Sequence, residues 1–123
     1  MLKRKLVSNG APVNLAEVLL DMPPAASVTL TAAGTNLATA LVLSESFNVV
    51  TTAAASTGVA LPVMEVGDKV TVVNLGANAL LVYPPATDSI QTGAAGVAFS
   101  IAVGKTAEFT RVSLTKIVAI LSA

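Results

Sequence analysis

The stretch "VTVVNLGANALLVYPP", Val70 to Pro85, decides how this chain is read. It scans as a strand, a tight turn at "NLGAN", and a second strand that stops at a double proline. No residue in it carries a charge. A strand of a half-exposed sheet alternates apolar and polar side chains, because successive residues point to opposite faces. Here the alternation fails: Val72 is followed by Val73, and Leu80 by Leu81 and Val82. Strands apolar on both faces are normally buried on both sides. The second face of this hairpin therefore looks at another copy of the chain, or at another layer of the same compact β-unit.

Working outward, the texture stays β from Ser27 onward. Valine and threonine dominate, and their branched Cβ suits a pleated surface. The predicted strands are Ser27–Thr31, Ala38–Leu43, Phe47–Thr52, Val59–Val63, Lys69–Asn74, Ala79–Tyr83, Ala98–Val103, Ala107–Ser113 and Ile117–Leu121. Turn signals such as "STG", "EVGD", "TGAAG" and "VGKT" separate them. Short strands at close, regular spacing predict an all-β domain, a small antiparallel β-sandwich or barrel of jelly-roll type. In "AEFTRVSL" the alternation is clear, with Phe109, Arg111 and Ser113 on one face and Glu108, Thr110 and Val112 on the other. The Ala-rich pieces "TTAAAST" and "TAAGTNLATA" lack helical periodicity and read as β or loop.

The chain start differs. Residues 1 to about 13 read as an arm, with Lys3, Arg4 and Lys5 together and then the breaker cluster "SNGAP". In "NLAEVLLDMPP", Asn14 can cap a helix, with Glu17 three residues later. Leu15, Val18, Leu19 and Met22 fall on one helical face, and Pro23 and Pro24 stop it. The predicted organisation is an arm with a short helix over 1–24 and a β-domain over 25–123. Two turns of helix are marginal alone, so this one docks on its own domain or on a neighbour. Lys3, Arg4, Lys5, Leu15, Val18 and Leu19 are the candidate anchoring residues. The basic arm has two readings, a grip on an acidic surface or nucleic acid, and an ordinary frayed terminus.

Composition narrows the chemistry. The 123 residues carry seven basic and seven acidic side chains, no histidine, no cysteine and no tryptophan. Charged residues make up 11% of the chain, against about 25% in ordinary soluble domains. No apolar run approaches the roughly 20 residues of a membrane-spanning helix, and the start lacks the apolar stretch of a signal peptide. Three clustered basic residues do not make the basic face of a nucleic-acid binder. Without histidine or cysteine, nucleophilic catalysis would need a lysine base at a recognisable spacing, and none has it. "VGKT" lacks the upstream glycine of a phosphate-binding loop, since Phe99 stands there, so Gly104–Lys105 reads as a hairpin turn. Glu65 and Asp68 in "EVGD" lack the further oxygens a calcium loop needs and read as a solvated turn, as do Glu45 and Asp88. Phe47, Tyr83, Phe99 and Phe109 read as core. No catalytic, cofactor or metal residue is expected.

From Phe47 to Phe109 the chain resembles a β-domain that recurs in virion proteins of tailed bacteriophages, notably capsid decoration and head-fibre-like proteins. The resemblance lies in "FNVVTTAAASTGVALP", then "GDKVTVVNLGANALLVYP", then "AFSIAVGK". It covers about half of the chain, and its motifs are structural. It implies a small β-sandwich or barrel on the capsid exterior, often trimeric, without a cofactor. The implied function is a decoration or cement protein that binds the major capsid protein as a homo-oligomer and stabilises the shell. The alternative is a tail-fibre or spike module, or a receptor- or carbohydrate-binding domain.

Overall fold

A computed structural model describes residues 26–123. Its ten strands are β1 (Ala26–Thr31), β2 (Leu41–Val42), β3 (Phe47–Thr52), β4 (Gly58–Ala60), β5 (Lys69–Asn74), β6 (Leu80–Tyr83), β7 (Ser89–Ile90), β8 (Phe99–Ile101), β9 (Thr106–Arg111) and β10 (Lys116–Leu121). The all-β expectation holds, and the described residues contain no helix. The sandwich or barrel does not hold. The strands form a β-solenoid of about four turns.

Connectivity shows why. Each of the first coils lays one strand in a six-stranded sheet and the next in a four-stranded sheet. The six-stranded sheet runs β1-β3-β5-β9-β10-β7 and the four-stranded sheet β2-β4-β6-β8. β1, β3 and β5 pair in parallel, and so do β2, β4 and β6. Val70–Pro85 is therefore not a hairpin, because β5 and β6 lie in different sheets. Its two-sided apolarity belongs to parallel strands stacked in coils. The fourth coil is traversed in reverse: β8 runs antiparallel to β6, and β9 antiparallel to β5. β9 and β10 then make a true antiparallel hairpin.

The corner between β5 and β6 rests on Asn74, which is fully buried. Its Oδ1 accepts from Gly76 N–H at 3.0 Å, and its Nδ2 donates to the carbonyls of Asn78 and Ile101, each at 2.9 Å. An asparagine that bonds its own backbone two residues on turns the chain sharply. Gly76 lies so close to the preceding coil that a Cβ there would sit 2.7 Å from the Ala53 nitrogen. The corner is locked from the neighbouring coil too, because Asn78 Nδ2 donates to Ala53 O at 2.9 Å.

The core fills the space between the two sheets. Val50, Val59, Val72, Leu80, Val82, Ile101, Phe109 and Ile117 are fully buried in it. Phe99 meets Phe109 edge to face with centroids 5.7 Å apart, a favoured aromatic geometry. The expected alternation in β9 is present, with Ala107 and Phe109 buried and Glu108 and Thr110 half-buried. Asn48 is buried at the start of β3 and donates to Glu45 O and Thr71 O.

Two smaller corrections concern boundaries. Of Ala38–Leu43 only Leu41–Val42 is strand; residues 36–40 form a turn in which the Asn36 carbonyl accepts from both Thr39 N–H and Ala40 N–H. β7 is a two-residue strand that the sequence pattern does not announce. The candidate arm, the short helix and all six anchoring residues, Lys3, Arg4, Lys5, Leu15, Val18 and Leu19, lie outside the described residues.

Candidate interaction surface

The outer face of the four-stranded sheet is covered by the chain itself. Leu81 and Tyr83 of β6 point away from the main core, with Ala60 of β4 beside them. The β1–β2 connection folds over this face and places Leu37 and Ala40 on it. Tyr83 donates its hydroxyl proton to the Thr35 carbonyl at 3.0 Å, tying the cover down. Gly58 leaves room for the Tyr83 ring, since a Cβ there would meet the ring at 2.8 Å and Leu81 O at 2.6 Å. For β6, then, the second face looks at another layer of the same unit.

The outer face of the six-stranded sheet has no such cover among the described residues. Register places Phe47, Thr71, Glu108 and Ile120 in one row across β3, β5, β9 and β10. Val49, Val73 and Thr106 form the next row, and Lys69, Thr110 and Val118 the one on the other side. Phe47 departs from the core expected of it: it starts β3 on the outward-facing row and is 41% exposed, and Ile120 is 64% exposed. Lys69 and Glu108 form an ion pair at 3.7 Å in the middle. The face is thus a threonine- and valine-rich sheet with a larger apolar side chain on each flank and a self-neutralised charge pair at the centre.

The carboxylates are used locally. Asp68 accepts from Glu65 N–H through Oδ2 at 2.9 Å, and Asp68 N–H donates to Glu65 O at 2.9 Å, so "EVGD" is a self-capped turn. Beside it lies an open groove of about 320 Å³, lined by Ser44, Glu45, Pro62, Val63, Asp68 and Lys69 among others. Asp88 departs from the expected solvated turn. It is 1% exposed, and its Oδ2 lies 2.9 Å from Arg111 Nη1. The contact is a charge pair rather than a well-aligned hydrogen bond. Arg111 also donates through Nε to Ser113 O at 3.1 Å and through Nη2 to Leu114 O. It joins the β6–β7 connection to the β9–β10 turn. Gly104–Lys105 is a turn, with Gly104 at φ +77°, but it joins β8 to β9 across the two sheets and so is not a hairpin. Among the described residues no three His, Cys, Asp or Glu side chains gather as a metal site would require.

The sequence pattern does not announce the uncovered face as a unit. Its rows are set by register between strands far apart in the chain, and Phe47 and Ile120 become neighbours of one surface only through β5 and β9. Comparison with known proteins finds no family model that matches the chain, and no characterised protein or solved structure that aligns with it significantly.

Proposed function

We propose that the chain is a structural protein of the tailed-bacteriophage virion. It decorates the outer surface of the head, binds the major capsid protein as a homo-oligomer, and stabilises the shell by clamping rather than by turnover. The observation that carries the reading is where the resembling segment falls. Phe47–Phe109 runs from β3 into β9 and so includes the corner at Asn74 and most of the core. Support also comes from the kind of surface the fold offers: an uncovered sheet face of small and apolar side chains suits contact with another protein surface.

The second reading, a tail-fibre or spike module or a carbohydrate-binding module, draws on one observation. The parallel coils end at β1, which pairs with β3 on one side and with no described strand on the other. A longer coil stack would continue from such an edge. Copy number separates the two. Denaturing gels of purified particles are expected to show a band at the chain's 12.3 kDa in a high copy number, matched to the capsomers. Purified protein is expected to co-sediment with emptied phage heads. A copy number of a dozen or fewer, or failure to bind heads, overturns the decoration reading.

A further inference from the structure

We propose that the open end of the coil stack is covered by residues 5–25 of this same chain, folded as one further parallel coil. The inference goes beyond both readings above and holds under either, since it concerns only how the chain closes its own stack.

Both sheets end on the same coil. β1 closes the six-stranded sheet and β2 the four-stranded one, and no described strand pairs with the outer edge of either. The core is open at that end as well. Leu30 pairs with Val50 and Leu41 with Val59; the two valines are fully buried, whereas the two leucines are half-buried. Val42 is 69% exposed although its partner Ala60 is buried.

The sequence holds a matching rung. "NLAEVLL", residues 14–20, and "NLATALV", residues 36–42, correspond at an interval of 22. Asn14, Leu15, Ala16 and Leu19 are repeated as Asn36, Leu37, Ala38 and Leu41, and Val18 and Leu20 meet apolar Ala40 and Val42. The coils of this stack recur at such intervals. Register separates Ala26 from Phe47 by 21 residues, Phe47 from Thr71 by 24, Leu41 from Val59 by 18 and Val59 from Val82 by 23. Self-similarity at the coil period is the signature of stacked repeats. It sets Leu19 over Leu41, Leu20 over Val42, and Leu6 over Val28, which is 57% exposed. The link into β1 also fits. Five residues lie between Leu20 and Ala26, against four between β2 and β3 and eight between β4 and β5.

The same match accounts for the helix signature at Asn14. Asn36 caps its turn as a helix start would, with Oδ1 accepting from Thr39 N–H at 3.1 Å and its carbonyl from Ala40 N–H at 2.9 Å. The chain nevertheless leaves that turn for β2 at Leu41. One turn must differ: Pro12 stands where Gly34 has φ +73°, which a proline ring excludes. Asn9 and Gly10 offer the residue types of the corner at Asn74 and Gly76 instead. Lys5, Glu17 and Asp21 replace Ser27, Thr39 and Leu43, the polarity of a coil with one side to solvent. Leu15, Val18 and Leu19 are then coil residues and not a grip on the capsid.

Cysteine pairing tests this on the full chain, which has no cysteine of its own. Stacked neighbours have Cα atoms about 4.8 Å apart, inside the range a disulfide spans. Leu121 ends β10, four strands from β1 and about 19 Å away at that spacing. Leu20→Cys with Val42→Cys is expected to form an intrachain disulfide at least about tenfold faster than Leu20→Cys with Leu121→Cys, because effective concentration falls with the gap to be spanned. Backbone carbon chemical shifts of the unmodified protein are expected to be strand-like at residues 18–20, a check that no substitution can disturb. Helical or random-coil shifts there, equal rates for the two cysteine pairs, or a disulfide that joins two chains overturns the proposal.

Discussion

Replacing Asn74 with alanine tests the solenoid corner directly. The carboxamide serves three backbone groups, Gly76 N–H, Asn78 O and Ile101 O. Gly76 and Ile101 are buried, so two of these groups lose their partner where water cannot replace it; Asn78 is half-buried and its carbonyl can be hydrated. A buried polar group left unsatisfied costs about 1–3 kcal/mol. Two of them put the loss at roughly 2–6 kcal/mol, a large share of the 5–15 kcal/mol by which a domain is usually stable. Asn74→Asp keeps the acceptor for Gly76 N–H, loses both donations and turns a carboxylate toward two carbonyl oxygens. It is expected to be at least as damaging as alanine. The assay is urea unfolding in dilute solution, followed by far-UV circular dichroism and by the emission of Tyr83, the single tyrosine of a chain without tryptophan. An exposed hairpin turn at this place would lose about 1 kcal/mol at most, since solvent would replace the lost bonds. A loss that small for Asn74→Ala, with an unchanged denaturant slope, would refute the corner.

Two further outcomes follow from the same reasoning. Arg111→Met leaves the Asp88 carboxylate buried without its cation, and breaking a buried pair this way costs about 3–5 kcal/mol; Asp88→Asn with Arg111→Met should lose less than the sum of the singles, and additivity in that double-mutant cycle would argue against the pair. Tyr83→Phe removes the 3.0 Å bond to Thr35 O and should cost about 0.5–1.5 kcal/mol, with faster amide exchange confined to residues 33–40; uniform faster exchange across the chain would show that the cover is not held by that hydroxyl.

Much of the element pattern is legible in the sequence, and the topology is not. β3 and β5 fall at the predicted boundaries because Val/Thr runs there end at clear breakers. Alternation sets Phe109 on the face opposite Glu108 and Thr110, and Phe109 is buried. Connectivity was hidden for a local reason. "NLGAN" carries the residue types of a tight hairpin turn, and Asn74 and Gly76 also suit a corner that sends the chain into a second sheet. What separates the two is the long-range partner, Ile101 O, 27 residues away, and no local pattern contains it. The apolar run on both faces points to strands covered on both sides and leaves their direction open; short strands at close, regular spacing favour an antiparallel sandwich or barrel, and the long-range pairing overrides that. Asp88 departs from the solvated-turn expectation for a similar reason, since "PATDS" resembles any polar turn until Arg111 is brought to it from β9. The uncovered sheet face is the least legible feature, because it is assembled from register and from no contiguous motif.

The two ends of the coil stack differ in a way that bears on how such a charge-poor chain avoids uncontrolled pairing. Exposed strand edges recruit other strands, and short or covered edges are the usual protection. At one end the reversed fourth coil provides both. β7 offers two residues, and beside it Gln91 Oε1 accepts from Ala119 N–H while Gln91 O accepts from Lys116 Nζ. At the other end β1 offers six residues, none of them buried, whereas β3 and β5 each bury residues in the equivalent positions. A stack of identical parallel coils would be equally open at both ends and could lengthen without limit. Reversing the last coil removes that symmetry, so an antiparallel hairpin sits where the next parallel rung would have to dock. Growth from the β10 side meets the chain's own antiparallel hairpin and the two-residue β7, whereas among the described residues the six-residue β1 is the long edge of the same sheet that no strand pairs.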